Sequence, residues 1–345
     1  KKKKLVTSDM LKVKPLWSMA SDAGLESLIV GWLNTWPAQP IQGAMVAPYV
    51  ALGKKKQTSI KGKIYKKENK QTYPAYLFND LKDFIYAAGD VPPKRIAKMA
   101  DVPHKKSRLF KKIPNLKRYL YTVRWSIASA LTNTTMLEYL LQKNPNTSLV
   151  MSYFDGSDTL AHRFWLLRQP LKEIRARLKG HKLDPKLAEE LKARFGEILN
   201  NYYELIDEMV GRIQRAAGPE ATIVLVSDHG WGKQNRNRAI HKNVPFDGQH
   251  ELEGILIASG PNIKHGRFKD YSIYDIAPTA LYLMQLGIPQ ELSGNIALDI
   301  ISEDFKTKHP PITLAKGTLK ETKSKNSQLE QTHYEQTELE RLKSL

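Results

Sequence analysis

The sequence contains no cysteine, and this absence narrows the chemistry that the chain can perform. Disulfides, thiolate metal ligands and a cysteine nucleophile are all excluded, so histidine, carboxylate and hydroxyl side chains must carry any reaction. The sequence also lacks an uninterrupted apolar run of about 18 residues, which a membrane-spanning helix requires. Because a chain without thiols suits oxidising and reducing surroundings alike, the sequence leaves the cellular compartment open.

Positive charge is abundant but unevenly distributed. The 345 residues carry a formal net charge of +19, and residues 54–118 hold 19 Lys and Arg against 5 Asp and Glu. Lysine clusters and paired prolines in this range predict a basic inserted cap segment, partly irregular, with one helix near residues 76–88. Such a segment could bind nucleic acid or an anionic surface, with tyrosines stacking between phosphate contacts, or it could be a solvated surface without a partner.

The rest of the chain alternates between two patterns. Near-continuous apolar runs typical of buried strands occur at residues 148–154, 221–226 and 254–258. Helical spacing of apolar residues occurs at 15–23, 125–143, 187–217 and 273–286. This alternation predicts an α/β fold, with a mostly parallel sheet sandwiched between helices. We expect residues 1–317 to form one domain and residues 318–345 to form a polar tail.

Residues of metal-ligand type cluster near the ends of the three predicted strands. Asp158 and His162 follow the first strand at a spacing of four, Asp228 and His229 follow the second, and His250 precedes the third. Taken singly, Asp158 could be a helix N-cap and His162 a packed core histidine. Open α/β sheets bind their ligands at strand ends, so the clusters together predict a two-metal hydrolytic site.

The motifs that carry these residues resemble those of a known family. Asp158 to His162 is similar to its Asp-x-x-x-His motif, and residues 226–230 resemble its Ser-Asp-His-Gly motif. Residues 250–261 look like its last metal histidine and the strand that follows. The chain thus resembles the type I phosphodiesterase/nucleotide pyrophosphatase family of the alkaline phosphatase superfamily.

This resemblance implies a function and a ligand set. Asp158, His162 and His250 would hold one divalent ion, typically zinc, and Asp228 and His229 would hold a second. The substrate would be a small-molecule phosphoester, most simply a phosphodiester or a nucleotide pyrophosphate, although monoesterases and transferases use the same metal set. The family pattern gives no ligand role to Asp155, which we interpret as a turn or cap carboxylate.

One part of the family pattern is not found in the sequence. The family has a first strand ending in a metal-binding Asp, followed by a Thr or Ser nucleophile at a helix N-terminus. We interpret the given sequence as lacking this segment, which leaves the catalytic nucleophile unknown. Thr35, ahead of Trp36 and Pro37, is a weak alternative nucleophile. The alternative function is a non-catalytic basic relative that binds nucleic acid or anionic surfaces through residues 54–118.

Overall fold

The structure is a computed structural model that describes residues 6–48, 70–232, 245–268 and 271–317. The predictions for residues 54–69 and for the tail at 318–345 lie outside these ranges. Within them, no helix combines the length and the apolar character needed to cross a bilayer.

A four-stranded sheet forms one half of the architecture. Its strands are β1 (Ser27–Val30), β2 (Gly43–Val46), β3 (Thr72–Tyr73) and β4 (Leu149–Ser152), in the order β3-β2-β1-β4. β1 runs parallel to β2 and β4, whereas the short β3 is antiparallel to β2. All four residues of β1 are buried, as expected for a central parallel strand. The predicted α/β class with a parallel sheet is therefore confirmed.

Helices account for most of the remaining structure. They are α1 (Leu16–Asp22), α2 (Leu77–Leu81), α3 (Pro93–Met99), α4 (Leu109–Lys112), α5 (Leu116–Lys143), α6 (Gly156–Phe164), α7 (Leu171–Gly180), α8 (Ala188–Phe195), α9 (Ile198–Ala217), α10 (Ile276–Leu283) and α11 (Glu303–Lys308). The alternation of side chains along β1 directs Leu28 and Val30 toward the core beneath α5 and directs Ile29 toward Trp17 of α1. Both faces of the sheet are thus covered by helices.

Two predicted helices have different boundaries in the structure. The pattern at 125–143 belongs to α5, which begins earlier, at Leu116, directly after Asn115 with a φ of 63°. The pattern at 187–217 is divided between α8 and α9, because the chain turns at Gly196. A side chain at Gly196 would crowd the carbonyl oxygens of Lys192 and Leu167, so the break allows two backbone segments to approach closely.

The described part of the basic segment is more regular than predicted. Instead of one helix near residues 76–88, it contains α2, α3, α4 and the start of α5. Ile96, Leu109 and Ile113 are buried in the largest core cluster, together with residues of α5, α6 and α9. Residues 70–118 therefore pack as part of the main core, since their apolar side chains occur at helical spacing between the lysines.

The strands after α9 pair with each other rather than with the four-stranded sheet. β5 (Ile223–Val226) is antiparallel to β8 (Leu256–Ser259), and between them β6 (Gly230–Gly232) is antiparallel to β7 (Gln249–Glu251). We expected mostly parallel strands here. Parallel neighbours need a long crossover, usually a helix, and no helix lies between β5 and β8 in the described residues. The chain instead turns back on itself and forms two antiparallel ribbons.

Candidate metal centre

The first pair of predicted ligands lies on α6, which starts directly after β4. Asp158 and His162 are one turn apart on this helix, and His162 Nε2 lies 3.6 Å from Asp158 Oδ1. α6 packs tightly on α9, because Gly156 touches the hydroxyl of Tyr202 with no room for a side chain. The start of the helix, and with it Asp158, is therefore fixed against the core.

The remaining predicted ligands are brought in by the ribbons. Asp228 and His229 occupy the connection from β5 to β6, and His250 lies on β7 directly opposite Trp231 of β6. The chain that follows β7 comes close to Gly230, where a side chain would meet the carbonyl oxygen of Glu253. The β6–β7 pairing thus sets His250 beside the histidine that follows β5.

Four of the five predicted residues converge on one carboxylate oxygen. Asp158 Oδ1 lies 3.3 Å from His250 Nε2 and 3.6 Å from the Nε2 atoms of both His162 and His229. His162 Nε2 and His250 Nε2 are 3.2 Å apart, and the rings of His229 and His250 stack with centroids 3.8 Å apart. Asp158, His229 and His250 in particular have ligand atoms within 4.8 Å of one another.

Asp228 is at the edge of this cluster. Its Oδ1 lies 3.8 Å from His229 Nε2, and 64% of its side chain is exposed. The family resemblance implies one set of three ligands and one set of two. The geometry does not reproduce this division, since His229 is as close to Asp158 as His162 is.

Hydrogen bonds behind two of the histidines define which nitrogen carries the proton. His229 Nδ1 lies 3.0 Å from the carbonyl oxygen of Gly230, which can only accept. His162 Nδ1 lies 2.9 Å from Oδ1 of Asp247, a carboxylate that likewise accepts. In its neutral form, each ring therefore donates from Nδ1 and directs the lone pair of Nε2 toward Asp158.

A positive charge at the centre of the cluster would stabilise the acceptor atoms that surround it. Asp158 Oδ1 is buried and accepts no hydrogen bond of normal geometry from the described residues. It faces two imidazole lone pairs, and acceptors placed this close repel one another unless a cation or a proton lies between them. The donor set of imidazole nitrogens and one carboxylate oxygen is the set that zinc prefers in hydrolytic sites. The residues present thus fit a divalent ion.

Burial changes the proton affinities of groups around the cluster. Burial, with a smaller contribution from Asp158, raises the pKa of Asp155 from 3.8 to about 7. Burial also raises the pKa of Tyr153 to about 12. It lowers the pKa of His250, and the neighbouring His229 adds to this effect. A lowered pKa favours the neutral form of the His250 imidazole, which is the form that binds metals.

The side chain of Asp155 does not form the capping hydrogen bond that its interpretation as a cap carboxylate predicts. Asp155 occupies the N-cap position of α6. Its Oδ2 is instead buried and accepts no hydrogen bond from the described residues. A carboxyl in this position is destabilising when ionised, because a backbone hydrogen bond and Arg163 offset only part of its desolvation.

Sequence reasoning missed two residues of the centre. Trp231 contacts the rings of His162, His250 and His229, with centroid distances of 4.7, 4.9 and 5.9 Å. Asp247 is buried behind His162. The Gly-Trp-Gly run and the carboxylate three residues before His250 were the available signals, but neither indicates a role without knowledge of the pairing between β6 and β7.

The environment of Thr35, the weak nucleophile candidate, does not suit a nucleophile. Thr35 is fully buried, and its hydroxyl donates to the carbonyl oxygen of Trp32 at 2.6 Å. This bond closes a local turn, as threonine side chains often do. Its hydroxyl proton is thus directed to a backbone acceptor rather than to a general base.

The described part of the basic segment is partly neutralised. Arg95 forms a bidentate ion pair with Glu208 of α9, and Arg108 forms an ion pair with Glu190 of α8. Two further pairs of this kind are Lys98 with Glu204 and Lys112 with Asp184. These contacts attach α3 and α4 to the acidic faces of neighbouring elements.

A comparison with known proteins identifies the family of the chain. The model of the type I phosphodiesterase/nucleotide pyrophosphatase family matches residues 1–285. No curated protein and no solved structure matched the chain significantly. The family match covers well over half of the chain and all five predicted ligands, and it confirms the resemblance stated from the motifs. The chain therefore belongs to the type I phosphodiesterase/nucleotide pyrophosphatase family, a family of hydrolases in the alkaline phosphatase superfamily.

Proposed function

We propose that this chain provides the metal centre of a hydrolase that cleaves phosphodiester or nucleotide pyrophosphate bonds in small molecules. Asp158, His162 and His250 hold one divalent ion, which we take to be zinc. Asp228 and His229 contribute to a second. Family membership supports the reaction class, and the donor set supports the metal.

The distances between three predicted ligand atoms are the main support for this proposal. A tetrahedron with metal–ligand bonds of about 2.0–2.2 Å has edges of roughly 3.3–3.6 Å. The three atoms of the proposed first site, Asp158 Oδ1, His162 Nε2 and His250 Nε2, are separated by 3.2, 3.3 and 3.6 Å. The three distances together are close to the edges of such a tetrahedron, which supports a shared ion at this point.

The residues of the chain have separate tasks in the reaction. A divalent ion bound in such a site supplies Lewis acidity, which lowers the pKa of a coordinated hydroxyl or water and neutralises charge on phosphoryl oxygens. The hydrogen bond from His229 Nδ1 to the carbonyl oxygen of Gly230 fixes that ring, and Trp231 packs against the imidazole rings. We assign no nucleophile, because the buried hydroxyl of Thr35 is already bonded to Trp32.

Family membership favours a hydrolase over the non-catalytic alternative. Four basic side chains between residues 70 and 118 are paired with carboxylates, which reduces the charge that a nucleic acid would meet. We therefore propose no nucleic-acid partner.

The proposal is tested by zinc titration of chelator-stripped protein, followed by calorimetry. We expect one tight site per chain and a weaker second one, because two described ligands hold the second ion. His250→Ala should abolish the tight site, whereas His181→Ala, which removes an imidazole at the end of α7, should leave it intact. Equal zinc affinity in both variants would refute the ligand assignment.

The substrate class needs a separate assay. If zinc-loaded protein hydrolyses either substrate, we expect a higher kcat/KM for bis(p-nitrophenyl) phosphate than for p-nitrophenyl phosphate. A monoester value above the diester value would contradict the proposed substrate.

A further inference from the structure

A short buried segment connects the helix that carries His162 to the strand that carries His250. Residues 245–248 precede β7 and are all buried. The backbone of this segment is attached to the turn after α6: Leu166 N donates to the carbonyl oxygen of Phe246 at 3.0 Å. Gly248 lies flat against the indole of Trp165, with no space for a side chain. The segment therefore joins α6, which carries His162, to β7, which carries His250.

Asp247 is the side chain at the middle of this connection. Its side chain is completely buried, and its Oδ1 lies 2.9 Å from His162 Nδ1. Its Oδ2 is also buried and accepts no hydrogen bond from the described residues. A buried carboxylate with one unsatisfied oxygen destabilises a fold, so packing alone does not account for it.

We infer that Asp247 is a positioning residue: it fixes His162 in the Nδ1–H tautomer and ties His162 to the strand that carries His250. This inference rests on the proposed function, in which His162 and His250 bind the same ion. Because Asp247 lies three residues before His250, one hydrogen bond orients one ligand and anchors the other.

The carboxylate is better suited to this task than an amide. An ionised carboxylate only accepts, so it admits a single tautomer of His162. An asparagine could rotate and donate its NH₂ group to Nδ1, which would leave the proton on Nε2 and block metal binding. Carboxylates behind metal-binding histidines typically contribute 10–100-fold to metal affinity.

The experiment compares Asp247→Ala and Asp247→Asn with a matched control, Glu138→Gln. Glu138 is a half-buried carboxylate paired with Arg212 at the α5–α9 contact, so its loss tests the general effect of removing such a charge. The first readout is the tautomer of His162 in metal-free protein, from the long-range ¹⁵N correlation spectrum of the imidazoles, with the signal assigned by its loss in His162→Gln. The second is zinc affinity.

We expect His162 to carry its proton on Nδ1 in the wild type and in Glu138→Gln, and to shift toward the Nε2–H form in Asp247→Ala. Zinc affinity should fall about 10–100-fold in Asp247→Ala. It should fall less in Asp247→Asn, because the amide oxygen still accepts in one of its two orientations.

An Nε2–H tautomer in the wild type, or zinc affinity in Asp247→Ala within about twofold of the wild type, would overturn the inference. If the wild type bound no zinc, the proposed function would fail, while the tautomer measurement would still decide the role of Asp247. The two ideas are therefore tested independently.

Discussion

Replacing Asp155 by asparagine should stabilise the metal-free protein at neutral and alkaline pH. The carboxyl Oδ2 of Asp155 is buried without a hydrogen bond from the described residues, and Asp158 lies on the next turn. These surroundings disfavour the ionised form and raise the pKa of Asp155 from 3.8 to about 7. Asparagine has nearly the same shape and never ionises, so it removes the penalty without creating a cavity.

The size of the effect follows from the difference in pKa between the folded and unfolded chains. Because the folded pKa is the higher one, the folded protein holds the proton more tightly, and stability falls as the pH rises from about 4 to about 7. A rise from 3.8 to about 7 corresponds to about 4 kcal/mol, at about 1.4 kcal/mol per pKa unit. Below pH 4 the neutral carboxyl resembles the amide, and the difference between the two proteins should be close to zero.

The assay is urea unfolding of the wild type and Asp155→Asn in the presence of a chelator, at pH 4 and pH 8. A bound cation would stabilise the carboxylate, so metal must be absent. We expect the variant to gain several kcal/mol over the wild type between these two pH values. A constant difference between the two proteins would show that Asp155 ionises normally, and the account of its environment would then be wrong.

Two further substitutions test the packing and the ligand division. Gly156→Ala should lower the free energy of unfolding by about 1–3 kcal/mol, because its methyl group would collide with Tyr202, whereas Gly180→Ala should be neutral, since nothing lies within 4 Å of the added atom. Urea unfolding checks both, and equal stability of the two variants would contradict the proposed α6–α9 contact. Asp228→Asn should weaken the second zinc site and leave the tight site within about twofold of the wild type, because Asp228 is exposed and contacts only the edge of the cluster. Loss of the tight site in calorimetry would assign Asp228 to it instead.

The sequence was sufficient to predict the strands that lie next to the motifs. The apolar runs that became β4, β5 and β8 were recognisable because local composition defines a buried strand. It was also sufficient to nominate Asp158, His162 and His250, since their spacing and position at strand ends follow from one-dimensional order. Their convergence on one point is a property of the three-dimensional structure.

Features that depend on distant partners could not be read from the sequence. The antiparallel pairing of β5 with β8 depends on the path of the chain between them, which periodicity does not reveal. The proposed role of Asp247 depends on its contact with His162, which lies 85 residues earlier in the chain. The helices of the basic segment were missed because lysine clusters and prolines obscured the apolar spacing of residues such as Ile96 and Leu109.

The ribbon formed by β5 and β8 affects how the protein behaves in solution. Val224 and Val226 are exposed on one face of this ribbon and Ile257 is exposed on the other. Among the described strands, β5 hydrogen-bonds only to β8, and no described strand covers its second edge. An uncovered edge of this kind promotes self-association. Sulfate and other excluded salts strengthen apolar contacts, so concentrated stocks of the protein should be kept at low concentrations of such salts.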